Sequence, residues 1–232
     1  MAKLIWDQAG HRKYETGVDH GVLYVQNADG TYKNGVAWNG LTGVTETPSG
    51  AEETKLWADN IKYLSLRSAE EFGGTIEAYT YPDEWQECDG SASIVKGVHV
   101  GQQGRRSFGF SYRTIVGNDT ELNEHGYKLH LVYGATVSPS ERAYATVNDS
   151  PEAITFSWEF TTTPVEIPDT VGDFKPTAII TIDSTELEGG KRNPKWVELE
   201  ETLYGKNASG DDPATEPTLP SPEDVYDLFN ND

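Results

Sequence analysis

The chain is poor in sulfur: among its 232 residues there is one cysteine, Cys88, and one methionine, Met1. A single cysteine can form neither an intramolecular disulfide nor a cysteine-based zinc site, which excludes an extracellular fold built on disulfides. We therefore expect the chain to fold in a reducing cytosol. A chain of this length can bury a sizeable core without a disulfide or a metal.

Long apolar runs and positive charge are also scarce. No run approaches the roughly 20 apolar residues of a membrane-spanning helix, and residues 1–7 lack the apolar segment of a signal peptide. Acidic residues outnumber basic residues by 38 to 18, which gives a net charge of −20. Since nucleic-acid-binding proteins neutralise phosphates with lysine and arginine, we expect no tight binding of DNA or RNA, and no membrane contact. DNA could still slide past such a surface.

Motifs for catalysis and metal binding are missing. The sequence contains no Gly-x-Ser-x-Gly, no P-loop and no His-Glu-x-x-His. The histidines are His11, His20, His99, His125 and His130. The last two are five residues apart, which places them on opposite faces of a regular strand and prevents a shared metal site. We predict a protein that is not an enzyme, with no catalytic residue, no metal and no cofactor.

One glycine-rich segment, residues 97–106, ends in Arg105 and Arg106 and could be interpreted as a phosphate cradle. The strand–loop–helix context of such cradles is absent, so a flexible loop between strands is the preferred interpretation. A salt bridge from these arginines to a neighbouring subunit is the second.

Aromatic residues make up 11 % of the chain and glycines number 23, a composition typical of strands joined by tight turns. Residues 108–116, 127–133 and 154–161 alternate between apolar and polar, most strictly in the last segment. Such alternation indicates a sheet with one buried and one polar face. Further strands are predicted at residues 22–25, 62–66, 75–81 and 177–183. The last is apolar on both faces and is expected to be central.

Helical signals are few. Residues 82–88 predict a short helical turn, and a helix is expected to begin at Asn193 with Pro194 in its first position. Its apolar stripe, spaced for one helix face, is Trp196, Leu199 and Leu203. A short terminal helix after the N-cap Ser221 carries Val225, Leu228 and Phe229.

We predict a β-sandwich domain over residues 1–204 with a flanking α-helix, and an acidic linker and C-terminal arm with a short helix over residues 205–232. Within the domain, residues 1–20 form an N-terminal arm. Residues 43–60 form a long protruding hairpin loop with its polar tip at residues 48–53. From residue 198 onward there are ten acidic residues against one base, Lys206. This segment is either a solvated tail or an arm that docks on its own chain or on a neighbour.

Several blocks resemble the major tail proteins, or tail tube proteins, of siphophages of Gram-positive bacteria. In order, they lie at residues 14–24, 35–41, 55–64, 74–82, 126–134 and 150–164. The resemblance covers roughly residues 13–165, and the segment after residue 205 matches least well.

The resemblance implies a structural virion protein made in the host cytoplasm. Its subunits would form hexameric rings that stack into the tail tube, the conduit through which DNA is ejected. The tube would surround the tape measure protein and meet tail terminator and distal tail proteins at its ends. The long loop and both terminal arms would bridge rings. Two alternatives stay open: a carbohydrate-binding β-sandwich, and another phage structural protein of the head–tail joining or baseplate type.

Overall fold

The computed structural model describes residues 4–147, 149, 152–209 and 213–230. The strands are β1 (Lys13–Val25), β2 (Val36–Trp38), β3 (Leu41–Glu46), β4 (Ser49–Gly50), β5 (Glu53–Ala58), β6 (Ile61–Arg67), β7 (Glu70–Glu71), β8 (Gly73–Ala78), β9 (Ala92–Val95), β10 (Val98–Val100), β11 (Phe108–Asn118), β12 (Leu122–Val137), β13 (Phe156–Thr162) and β14 (Ile179–Asp183). The α-helices are α1 (Gln86–Asp89), α2 (Pro194–Tyr204) and α3 (Pro222–Asn230). The predicted mainly β fold is confirmed.

One antiparallel sheet of eight strands dominates the molecule. Its order is β2-β1-β11-β12-β13-β8-β3, and β14 pairs with β12 beside this path. The strands at the two ends of the order, β2 and β3, follow one another in the chain and are joined only by Asn39 and Gly40. A Cβ added at Gly21 in β1 would lie 3.4 Å from the Leu41 side chain of β3. The sheet therefore curls until its ends meet.

The curled sheet encloses a core of aromatic side chains, which we call the inner core. Trp85, contributed by a 3-10 turn before α1, is fully buried there. Its ring lies 4.6 Å from Trp38 and 4.9 Å from Phe108, centroid to centroid. Trp158 and Phe160 of β13 belong to the same core, and the Trp158 ring lies 5.5 Å from that of Trp85. Tilted and edge-on aromatic contacts of this kind add to the stability that burial alone gives.

A second core, the outer core, lies on the opposite face of the sheet under α2. Leu129, Leu131 and Tyr133 of β12 pack in one cluster with the predicted helix stripe of Trp196, Leu199 and Leu203, which is fully buried. The Asn193 side chain caps α2 by accepting a hydrogen bond of 2.9 Å from the Lys195 amide. The flanking helix and its start are as predicted.

The C-terminal arm docks on its own chain. Tyr133 donates a hydrogen bond of 2.9 Å to the Pro220 carbonyl, and the Gly35 amide donates one of 2.7 Å to the Pro217 carbonyl. Leu219 lies over Gly109, and Val225 of α3 joins the outer core. This settles where the arm docks for the described part; residues 210–212, 231 and 232 lie outside it.

Two strand predictions need correction. Residues 13–20, placed in the N-terminal arm, form the first half of β1 and pair with β11, from Lys13 opposite Asn118 onward. Register shifts around Asp19, with positive φ at Gly17 and His20, interrupt the alternation that would have indicated a strand. Residues 4–12 precede the sheet, and residues 1–3 lie outside the described part. The segment 177–183 is not central, because β14 pairs with β12 alone.

Candidate functional site: an exposed β-ribbon

A long hairpin leaves the body between β3 and β8. Those two strands belong to the main sheet, and the two-residue strands β4 and β7 continue the pairing outward. Beyond them β5 and β6 form a separate antiparallel pair, Glu53–Arg67, which we call the ribbon. The protruding hairpin is therefore present, but it runs further along the chain than the predicted range of residues 43–60.

The tip of the hairpin lies at Asp59 and Asn60, whose φ angles are +50° and +62°. Asp and Asn tolerate this left-handed conformation better than most residues, so they make the two-residue turn. The predicted tip, residues 48–53, is instead the site where the ladder breaks halfway out. Gly50, with φ +83°, lies so close to the Ala69 carbonyl that an added Cβ would come within 2.3 Å of it.

One face of the ribbon is apolar. Leu56 pairs with Leu64, Ala58 with Ile61, and Thr54 with Leu66, and directly opposed residues point to the same side. A register shift between Leu56 and Trp57 keeps Ile61 in phase with Leu64. All residues of the ribbon are exposed, with Leu66 at 54 % and Ile61 at 62 %.

The other face of the ribbon carries the cations, together with Trp57, which pairs with Lys62. Glu53 accepts hydrogen bonds from Lys62, at 2.5 Å, and from Ser65, and lies 3.8 Å from Lys55. The bonds from Lys62 and Ser65 hold the pKa of Glu53 below its ordinary value. With three bases and two acids, the ribbon has a net charge of +1 on a chain of net charge −20.

An amphipathic ribbon of this kind cannot be stable by itself. At about 3.4 Å per residue each of its strands is on the order of 20 Å long, and isolated two-stranded hairpins are marginal in water. A contiguous exposed apolar face marks a contact surface. The apolar face of the ribbon therefore requires a cover that the described residues of this chain do not provide.

The start of the chain is a second apolar segment without a cover. Leu4, Ile5 and Trp6 are 70–73 % exposed. The residues that follow them are attached to the body, because the Gly10 amide donates a hydrogen bond of 2.9 Å to the Asp119 side chain. Two separate apolar segments thus project from one chain.

The tryptophans divide between core and projections. Trp38, Trp85, Trp158 and Trp196 are buried in the two cores. Trp6 and Trp57 are 73 % and 67 % exposed, and they lie in the N-terminal segment and the ribbon. An aromatic platform for a sugar could use these two residues or the exposed tyrosines Tyr63, Tyr79 and Tyr144.

The glycine-rich segment is partly ordered. Val98–Val100 forms β10, which pairs with β9 in a small hairpin that the sequence did not predict. Arg106 makes a 3.2 Å ion pair with Glu87 of its own chain, and Arg105 donates a hydrogen bond of 3.0 Å to the Asp89 carbonyl. The suggested bridge to a neighbour stays a prediction for both arginines, and of the two Arg106 already has a carboxylate partner in its own chain.

The two histidines considered for a metal site lie apart. The Nδ1 of His125 is 2.8 Å from Glu121, at the β11–β12 turn. His130 is buried against Tyr112, with parallel rings 4.5 Å apart, and its Nε2 is 3.0 Å from the Thr114 hydroxyl. Across the described ranges, no group of three or more His, Cys, Asp or Glu side chains could hold a metal ion.

Burial and charge act in opposite directions on His130. Burial lowers its pKa, whereas Glu46 and Glu15, with oxygens 3.6 and 3.7 Å from the ring nitrogens, raise it. Burial prevails, so the pKa of His130 lies below its ordinary value. Burial also opposes ionisation of Glu15, but hydrogen bonds from Lys128 and Thr114 prevail there and lower its pKa.

None of the helices in the described part of the chain is both long and apolar enough to cross a membrane. Comparison of the sequence with models of known protein families, and with curated proteins, found no match.

Proposed function

We propose that this chain is a structural subunit that assembles with copies of itself, and specifically the tail tube protein of a long-tailed bacteriophage. Subunits form hexameric rings, and the rings stack into a tube. The observation that carries the proposal is the ribbon, an amphipathic element with a bare apolar face that leaves a body already complete in itself.

Charge favours a second copy as the ribbon's partner. Two copies at net charge −20 repel each other, most strongly at low ionic strength. A projecting element of charge +1 reduces that repulsion locally and presents Lys55, Lys62 and Arg67 to an acidic neighbour. The apolar face then supplies the free energy of association by burial.

The fold supports the proposal through its parts. The resemblance implies a β-sandwich with a flanking helix, a long loop and terminal arms, and this chain has a curled antiparallel sheet with α2 on its outer face and a long hairpin. The described C-terminal arm lies on its own chain, so the proposal assigns the bridging of rings first to the ribbon and the N-terminal segment.

The net charge suits the role of a conduit. Phosphates are repelled by an acidic wall, so DNA passes without being held. In this proposal the partners are further copies of the chain, the tape measure protein inside the tube, and terminator and distal tail proteins at its ends. The mature location is the virion.

Negative-stain electron microscopy and sedimentation velocity of the purified chain test the proposal. We expect hollow tubes of constant width for the wild type. The double variant Leu56→Asp/Leu64→Asp should stay at rings or smaller species, because it places two charges on the apolar face of the ribbon. A matched control, Leu122→Asp/Val147→Asp, adds the same charges at exposed apolar positions outside the ribbon and should still form tubes.

Other outcomes distinguish the alternatives. Wild-type protein that remains monomeric at every concentration contradicts the proposal, and binding of such a monomer to a glycan array favours a carbohydrate-binding sandwich. Single rings that never stack favour a head–tail joining protein. Tubes formed equally well by the ribbon variant would show that the ribbon is not the bridging element.

A further inference from the structure

A cleft of about 520 Å³ lies beside α1, away from the ribbon. Its walls come from the end of α1, from the glycine-rich segment and from residues 138–142. The side chains that matter for its chemistry are Asp89, Arg105 and Arg142, and we call it the Arg105 cleft.

Asp89 and Arg142 neutralise each other within this cleft. The side chain of Asp89 is only 4 % exposed and lies 2.5 Å from Arg142 Nη2. The amide and hydroxyl of Ser91 also donate to the same carboxylate, at 2.9 and 2.6 Å. These bonds occupy Asp89, so its charge is unavailable to the rest of the cleft.

Arg105 is left as the uncompensated cation. Its guanidinium donates to the Asp89 carbonyl and lies over Gly90, where an added Cβ would come within 3.1 Å of it. Among the described residues no carboxylate lies within ion-pair distance of Arg105. The group is thus oriented by its backbone contact while its remaining N–H donors are free.

A guanidinium fork fixed in a cleft is suited to a carboxylate or a phosphate, which it can bind through two parallel hydrogen bonds. The overall charge of −20 repels a phosphate backbone. The same charge makes carboxylates abundant on every copy of the chain. Copies that must associate against this repulsion need the cations that their own chain has not neutralised.

We propose that the Arg105 cleft binds the carboxylate of an acidic segment of a second copy of this chain. The inference rests on the proposed self-assembly and adds a second contact to it, polar where the ribbon contact is apolar. Arg105 is exposed in the single chain, so such a pair would exceed an ordinary surface ion pair through the two parallel hydrogen bonds of the guanidinium fork.

The test compares Arg105→Glu with Lys175→Glu in the full-length chain. Both variants change the net charge equally, and Lys175 is exposed and distant in sequence from the cleft. We expect Arg105→Glu to raise the concentration at half-assembly, measured by sedimentation, by about tenfold or more. Lys175→Glu should raise it less than about twofold. Arg105→Lys, which keeps the charge and loses the fork, should give a concentration at half-assembly between those two values. Because it is a milder change, it also serves as a control for misfolding of Arg105→Glu.

A photo-crosslinking residue in place of Gln102, at the rim of the cleft, identifies the occupant by mass spectrometry. We expect a crosslink to an acidic peptide of another copy, shown by mixing isotope-labelled and unlabelled protein. Equal effects of the two glutamate variants, or crosslinks confined to one chain, overturn the inference while assembly itself stands. Failure of the wild type to assemble overturns both proposals.

Discussion

The body and the ribbon contain the same kinds of apolar residue in opposite environments. Trp158 in β13 is 2 % exposed, and Trp57 in β5 is 67 % exposed. Leu131 in β12 is fully buried, and Leu66 in β6 is 54 % exposed. Both regions are antiparallel strands with alternating faces. They differ in the layer above: the body folds a second layer over its apolar faces, and the ribbon has none.

The comparison shows that alternation predicts a covered face without identifying the cover. Within the body the cover is the curled sheet and α2, so its stability belongs to the single chain. For the ribbon the covering layer must come from another molecule, so the stability of the ribbon depends on assembly. Mutations in the two regions should therefore separate folding from association.

The largest expected difference is between two tryptophan truncations. Trp158→Ala should lower the free energy of unfolding by about 3–5 kcal/mol, because it leaves a cavity in the inner core. Trp57→Ala should change it by less than about 0.5 kcal/mol, because the ring is exposed in the single chain. Urea unfolding of monomeric protein, followed by far-UV circular dichroism, measures both values.

For assembly the order should reverse. Trp57→Ala removes an exposed ring from the cation-bearing face of the ribbon and impairs tube formation, whereas Trp158→Ala, under conditions where it is folded, impairs it less. A large loss of monomer stability in Trp57→Ala would mean that the ribbon is already covered by its own chain.

A smaller effect is expected where the C-terminal arm lies on the sheet. An added methyl group in Gly109→Ala would come 2.3 Å from Leu219, which occupies the space above that glycine. We expect a loss of about 1–3 kcal/mol, as for other overpacked sites, together with faster proteolysis near residues 206–216. Gly104→Ala is the control, because nothing lies within 4 Å of its added Cβ. Unchanged proteolysis in Gly109→Ala would place the arm elsewhere.

The smallest effect concerns pH. The folded-state pKa of His130 lies below its ordinary 6.5 because of burial, so below that pH the unfolded chain binds the proton more readily. Stability should therefore fall as the pH drops from about 7.5 to about 5.5. The lowered pKa of Glu15 adds a further loss only as the pH falls below its ordinary 4.5.

Melting temperatures at both pH values measure this contribution. His130→Gln should show a smaller fall than the wild type, whereas His99→Gln, which replaces an exposed residue, should behave like the wild type. A fall that is larger in His130→Gln would show that Glu15 and Glu46 outweigh burial and stabilise the charged ring.

The sequence predicted those parts of the fold in which a local pattern is clear over most of an element. The segments 108–116, 127–133 and 154–161 alternate over most of their length, and α2 carries both its cap and its stripe, so β11, the middle of β12, β13 and α2 were found. The first half of β1 was missed because its register shifts near Asp19 break the period.

The candidate site was predicted in part. The polar composition of residues 48–53 suggested a tip there, but the Asp59–Asn60 pair, with two left-handed residues, makes the turn. The segment 62–66 was correctly predicted as a strand, yet nothing local shows that it lies outside the body. Which apolar faces stay bare depends on tertiary packing, and so does the position of Arg105 over Gly90.

The buried state of Cys88 has a practical consequence for labelling. The thiol is fully buried, and burial, reinforced by Glu87 and Asp89, raises its pKa to about 12. At neutral pH it presents almost no thiolate to alkylating reagents. A variant such as Trp57→Cys would therefore carry a single reactive thiol without removal of the native one. Fluorophores or spin labels could then report distances between the ribbons of neighbouring copies as they assemble.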